Sequence, residues 1–208
     1  MKSLLLHLIL AVMPFVAAAE EIVFVPDTTR GGGLGFYGQS FTTPGGGPWA
    51  EIAFNFFGGR IGFNVAAGDA FLLTQEYVGT ASELSSAAPG FLAESTGISD
   101  PGTIRAMYVF SPSVVLHPGV EYWLYENASI SANSSPTSIA GTPAMHAYFA
   151  GTSTSRFSAL GGGGETFGFS LQGSIIPEPA TLACTSSGFF VLLMIWRIRH
   201  TVSGIISG

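Results

Sequence analysis

Glu121, Trp123 and Tyr125 stand at every second position of the run VEYWLYE, so an extended backbone places all three on one face. Flat aromatic rings beside a carboxylate can stack on a sugar ring and hydrogen-bond its hydroxyls. With Val120, Tyr122 and Leu124 as the buried face, Trp123 and Tyr125 are expected to point outward. Trp49, which opens another run beside glycines, joins them as a candidate. Glu121 and Glu126 are separated acids of the kind that pair across a cleft in glycosidases. Acids on strand and turn positions more often serve solvation, so no catalytic residue is assigned and no enzyme is expected.

The remaining patterns carry less chemistry. GLGFYG, Gly33 to Gly38, has the G-x-G-x-x-G spacing, but dinucleotide binding needs a helix N-terminus aimed at pyrophosphate. QSFTTPGGG follows, which reads as strand and then turn, so the glycines are expected in a loop and no cofactor is expected. GGGGE, residues 161 to 165, lacks the Lys-Ser/Thr of a phosphate loop. His117 falls in a Pro-Gly turn and His146 in AMHAYF, neither with a second ligand at a metal spacing. Asp27, Asp69 and Asp100 lie in or beside turns and offer oxygen ligands for calcium, but form no D-x-D loop. No metal site is assigned.

The elements that must position these residues are strands. WAEIAFNFF puts Ile52, Phe54 and Phe56 on one face, TIRAMYVF puts Ile104, Ala106, Tyr108 and Phe110 together, and ETFGFSLQG alternates Phe167, Phe169 and Leu171 with small or polar residues. AFLLTQEYV is a further candidate. Turn residues such as Pro44-Gly45, Ala67-Gly68-Asp69 and Asp100-Pro101-Gly102 bound these runs. About eight strands without long amphipathic helices predict an all-β fold, an antiparallel β-sandwich of jelly-roll type. Residues 81 to 96 are expected to hold a short helix or a long connection.

Charge and cysteine usage narrow the partners. Between Glu20 and Ile176, four arginines face twelve acids with no lysine, a net charge of −8 that repels phosphate backbones and argues against nucleic acid. The single cysteine, Cys184, lies beyond this region, so the body has no internal disulfide and no cysteine metal site.

Both ends of the chain have the composition of export segments. Residues 1–19 run from Lys2 through an apolar stretch to Ala17-Ala18-Ala19. Small residues at Ala17 and Ala19 suit signal peptidase, with cleavage expected before Glu20. An uncleaved N-terminal anchor is the competing reading, but the stretch is short for spanning. At the other end, Ala180 to Trp196 is a 17-residue segment without a charge, roughly 26 Å as a helix. Arg197, Arg199 and His200 follow as a basic stop, which places this side in the cytoplasm and the body outside. Pro177 and Pro179 keep the backbone before the span extended, where a processing enzyme can grip it.

Pro177-Glu178-Pro179, the apolar span and Arg197-x-Arg199 together resemble the PEP-CTERM sorting signal of Gram-negative bacteria. That resemblance implies a transient partner, an integral-membrane exosortase that cuts near the motif, and a setting of exopolysaccharide and biofilm matrix. HTVSGIISG after Arg199 is longer than the usual tail. GQSFTTPGGGPWAEIAFNFF, LHPGVEYWLYEN and FGFSLQG also resemble a β-rich, choice-of-anchor-like domain found ahead of such anchors. It implies fold and surface location, not a reaction.

The expected organisation is a signal peptide, 1–19; an extracellular β-domain, 20–174; a sorting signal, 175–200, with its transmembrane helix at about 180–196; and a short cytoplasmic tail, 201–208. The expected route is an inner-membrane intermediate, then the cell surface or extracellular matrix. The expected role is structural or weakly adhesive in exopolysaccharide, with carbohydrate binding through exposed aromatics as the alternative.

Overall fold

A computed structural model describes residues 19–26, 31–57, 66–99, 107–135, 145–160 and 166–177. The chain divides into two compact units, Met1–Ile175 and Ile176–Gly208. Only Ile176 and Pro177 of the second are among the described residues.

The alternating runs fold as antiparallel strands, because period-two apolar residues can bury one face of a sheet while the other stays polar. In chain order they are β1 (Glu20–Val25), β2 (Gly31–Thr42), β3 (Trp49–Phe56), β4 (Ala70–Leu73), β5 (Phe91–Glu94), β6 (Gly97–Ser99), β7 (Met107–Val109), β8 (Glu121–Glu126), β9 (Ile130–Ser135), β10 (Ala147–Ala150), β11 (Ser158–Ala159), β12 (Thr166–Phe167) and β13 (Phe169–Ile175). Residues 81–96 contain a single 3-10 turn, Ala81–Glu83, followed by β5. The strands beyond the expected eight are mostly pieces of two to four residues, such as β5, β6, β11 and β12. Backbone pairing holds them, and they are too short to display an alternation.

One sheet has the order β1-β13-β3-β7-β6 and the other β11-β10-β2-β8-β4-β5, with β9 and β12 attached beside β2. Their facing sides share one core. Ile22, Ile52, Phe54, Tyr108, Phe169 and Leu171 from the first sheet meet Tyr37, Phe41, Leu72, Tyr122 and Leu124 from the second. Phe54 stacks on Phe169 with centroids 5.1 Å apart, and Tyr37 meets Phe167 edge-on at 4.8 Å. Each large apolar side chain buried in this way contributes roughly 1.5–3 kcal/mol. Ile52, Phe54, Phe56, Tyr108, Phe110, Phe167, Phe169 and Leu171 all lie where the alternation predicts. Ile104 and Ala106 lie outside the described residues.

The outer face of the larger sheet is buried as well. Phe71, Leu73, Tyr125, Tyr148 and Ala150 point away from the shared core and meet Tyr77, Ala81, Leu84, Ala88 and Phe157. The segment between β4 and β5 therefore lies over this sheet as a covering layer.

GLGFYG corrects the loop expectation, since all six residues belong to β2. Its glycines make room for aromatic rings. A Cβ at Gly35 would stand 2.2 Å from the Phe149 ring, and one at Gly38 would stand 2.3 Å from the Tyr125 ring. Gly38→Ala should therefore destabilise the fold by about 1–3 kcal/mol through overpacking, read as a lower midpoint in thermal denaturation.

Register also sorts the strand ends. Glu20 pairs with Gly173, Ile175 with Trp49, and Thr42 with Glu121. Trp49 further bridges to Leu116, just before the turn that leads into β8. The start of β1 and the end of β13 thus lie together at one end of the layers. The last residue of β8, Glu126, pairs with Ala70 at the opposite end.

Candidate ligand-binding site

Strand alternation places Glu121, Trp123 and Tyr125 on the outer face of the larger sheet, as expected, but the covering layer decides which of them meets solvent. Tyr125 is fully buried. Its ring lies over Gly38, 4.8 Å from Phe157 and 5.4 Å from Tyr148. Its hydroxyl accepts a hydrogen bond from the Tyr77 backbone N–H at 3.2 Å. Tyr125 is therefore corrected from an exposed ligand contact to a packing residue that pins the covering segment. Trp49 is corrected likewise: it is 1% exposed and belongs to the shared core. Its indole Nε1 donates to Glu20 Oε1 at 3.1 Å. Val120, assigned to the buried face, is 38% exposed because it belongs to the turn before β8.

Trp123 and Glu121 remain half-buried. Trp123 pairs across the sheet with Ser40 on β2 and Leu73 on β4, and packs at the margin of the outer core. Its Nε1 donates to Tyr148 Oη at 3.3 Å. Burial pushes the Tyr148 hydroxyl above the ordinary tyrosine range, the Trp123 hydrogen bond opposes this, and the carboxylates of Glu76 and Glu121 push it further up. Glu76 is exposed and immediately precedes Tyr77, whose N–H Tyr125 holds. The cluster thus joins an indole, a phenol and two carboxylates from β8, β10 and the covering segment.

Sequence reasoning found Trp123 and Glu121 and missed Tyr148 and Glu76. Tyr148 lies in AMHAYF with His146, but nothing in that run says that β2 brings β10 next to β8. Glu76 lies inside AFLLTQEYV, read as one strand, but the strand ends at Leu73 and the rest of the run turns into the covering segment.

At the far end of β8 a second polar cluster lies between the sheets. Glu126 shares the inward face with Tyr122 and Leu124 and is fully buried, and both its carboxyl oxygens lack a hydrogen-bond partner. The Tyr108 hydroxyl stands beside it, also buried and without a partner of ordinary hydrogen-bond geometry. Burial holds the Glu126 carboxyl well above the usual carboxylate range; Tyr108 opposes this and the charge of Asp69 adds to it. Burial first, and then Glu126 and Asp69, push the Tyr108 hydroxyl far up in turn. Glu121 and Glu126 face opposite sides of one sheet, so they cannot flank a common substrate bond as a glycosidase pair.

Asp69 closes the turn that precedes β4, its carboxylate accepting the Ala66 N–H. Asp27 and Asp100 lie outside the described residues. The His117 backbone N–H donates to the Tyr122 hydroxyl at 3.0 Å, and the His146 N–H to Ser40 Oγ at 2.9 Å, so both histidines are tied in through their backbone. Among the described residues, no three His, Cys, Asp or Glu side chains gather in a way that could hold a metal ion.

Of the processing residues, Ala19, Glu20 and Pro177 are exposed, while Ala17, Glu178, Pro179, Arg197 and Arg199 lie outside the described residues, as does the expected apolar span. Among the described residues, no helix is long and apolar enough to cross a membrane. No protein-family model matches the chain, and a search of curated proteins finds no significant match.

Proposed function

We propose that the chain is an exported, non-enzymatic surface or matrix protein, carried by a signal peptide and sorted by a PEP-CTERM-type signal that an exosortase cuts. Its paired sheets form a jelly-roll-like β-sandwich with a structural or weakly adhesive role in an exopolysaccharide layer. The observation that carries this reading is the pairing of β1 with β13. Glu20, expected to be the first residue after signal cleavage, pairs with Gly173, two residues before the end of β13. Pro177 follows that end by two residues and is exposed. Both proposed processing points therefore leave the body at one end, as suits a domain presented from a membrane. Replacing Arg197 and Arg199 with neutral residues in the native host tests the sorting half. Loss of delivery to the cell surface is the expected outcome, and unchanged delivery would contradict it.

A second reading is favoured by the half-buried Trp123 with Glu121, Glu76 and Tyr148 around it. An indole at the rim of a sheet beside hydrogen-bonding groups suits a sugar ring, whose C–H face stacks while its hydroxyls are bound at the edges. In this reading the adhesive contact of the body is a carbohydrate site centred on Trp123.

A further inference from the structure

The charges around Trp123 narrow the sugar. Glu121 lies two residues before Trp123 on the same strand face, and the Trp123 indole N–H is held by Tyr148, which hydrogen-bonds Glu76 and feels the charge of both Glu76 and Glu121. Arg156 is the only lysine or arginine among the described residues, and its charge acts on Glu83 elsewhere in the covering layer. Two carboxylates thus act on the hydroxyl that holds the Trp123 indole, in a body whose net charge is −8. An ammonium group is attracted both by carboxylates and by the negative face of an indole ring. An acidic polysaccharide meets repulsion from the same groups, and a neutral one leaves the carboxylate charge unused.

We infer that the Trp123 site takes a cationic amino sugar, a pyranose with a free ammonium group, in preference to a neutral or acidic sugar. The inference rests on the carbohydrate reading above. The pyranose face stacks on Trp123 and the ammonium group donates to Glu121 and Glu76, while the Tyr148 hydroxyl accepts from the Trp123 indole and donates to Glu76, fixing both ligand contacts in place. A lysine-rich peptide would share the charge but lacks the rigid apolar face that matches the indole, so the polysaccharide is the better fit.

The test is calorimetric titration of the full chain in detergent, at mildly acidic pH, with a glucosamine tetramer, its fully N-acetylated counterpart and tetralysine. The glucosamine tetramer should bind roughly ten-fold more tightly than the acetylated one. A Glu76→Gln, Glu121→Gln double variant should erase that preference while leaving the weaker binding intact. Trp123→Ala should abolish both, with circular dichroism verifying its fold and Trp123→Phe standing in if the fold is lost. Equal affinity for the two sugars would overturn the inference and leave the carbohydrate reading standing. No binding of either sugar would overturn both. Tetralysine binding as tightly as glucosamine, or a glucosamine preference that survives Trp123→Ala, would overturn the amino-sugar assignment.

Discussion

A chain cut after Gly168 is expected to remain unfolded, whereas one ending at Pro177 folds and melts cooperatively. β13 lies between β1 and β3 in the smaller sheet, and among the described residues β1 has no other partner there. Removing β13 takes away Phe169 and Leu171, both fully buried, and frees Ile22 and Val25 on β1 from the sheet that holds them in the core. Truncating a single buried Phe or Leu costs about 2–5 kcal/mol, and whole domains are stable by only about 5–15 kcal/mol. The two losses together, with a sheet edge unpaired, exceed what the fold can bear. Urea titration followed by circular dichroism checks this, and a cooperative transition in the shorter chain would contradict it. On the proposed export route, residues 20–25 would stay without their partner strand until residues 169–175 had crossed.

The stability of the body is also expected to fall as pH rises above the ordinary carboxylate range, and Glu126→Gln is expected to remove that fall. Glu126 is fully buried with both carboxyl oxygens unpartnered, so burial favours its neutral form and its folded pKa lies well above the ordinary value of 4.5. Between 4.5 and the raised value the folded chain holds a proton that the unfolded chain has released. The Glu126 contribution to stability is therefore fully present below 4.5 and declines through that window, by about 1.4 kcal/mol per pH unit for one group. Tyr108 and Asp69 face the carboxyl without neutralising it, since one is neutral and the other repels. A glutamine has nearly the same shape and cannot ionise. Glu126→Gln should match the parent below 4.5 and become increasingly more stable than the parent as pH rises through the window. Denaturation at a series of pH values reads this directly, and a variant less stable than the parent at alkaline pH would show that the ionised carboxylate has a partner.

How much of this was legible follows from what each signal depends on. The inward faces of β3, β8 and β13 were readable because period two is a local property, and Phe54, Leu124 and Leu171 are buried as the pattern requires. The direction of Trp123 and Tyr125 was readable for the same reason. Their exposure was not, because a second layer covers the outer face; residues 74–78 read as a continuation of the strand that in fact ends at Leu73, and residues 79–90 carry no periodicity that announces a layer. That layer buries Tyr125, leaves Trp123 at its margin and brings in Glu76. Gly35 and Gly38 read as part of a loop because spacing alone cannot tell a turn from a gap left for an aromatic ring. Tyr148 entered the site only through the order β10-β2-β8, which pairs strands more than twenty residues apart.

The most direct measurement is the intact mass of the mature protein recovered from its own host. A product that begins at Glu20 and ends near Pro177, with all of β1 and β13 retained and the apolar span removed, is the predicted result. A mass that still includes Arg197 and Arg199, in protein held in the membrane, would contradict exosortase processing and leave an ordinary single-span anchor.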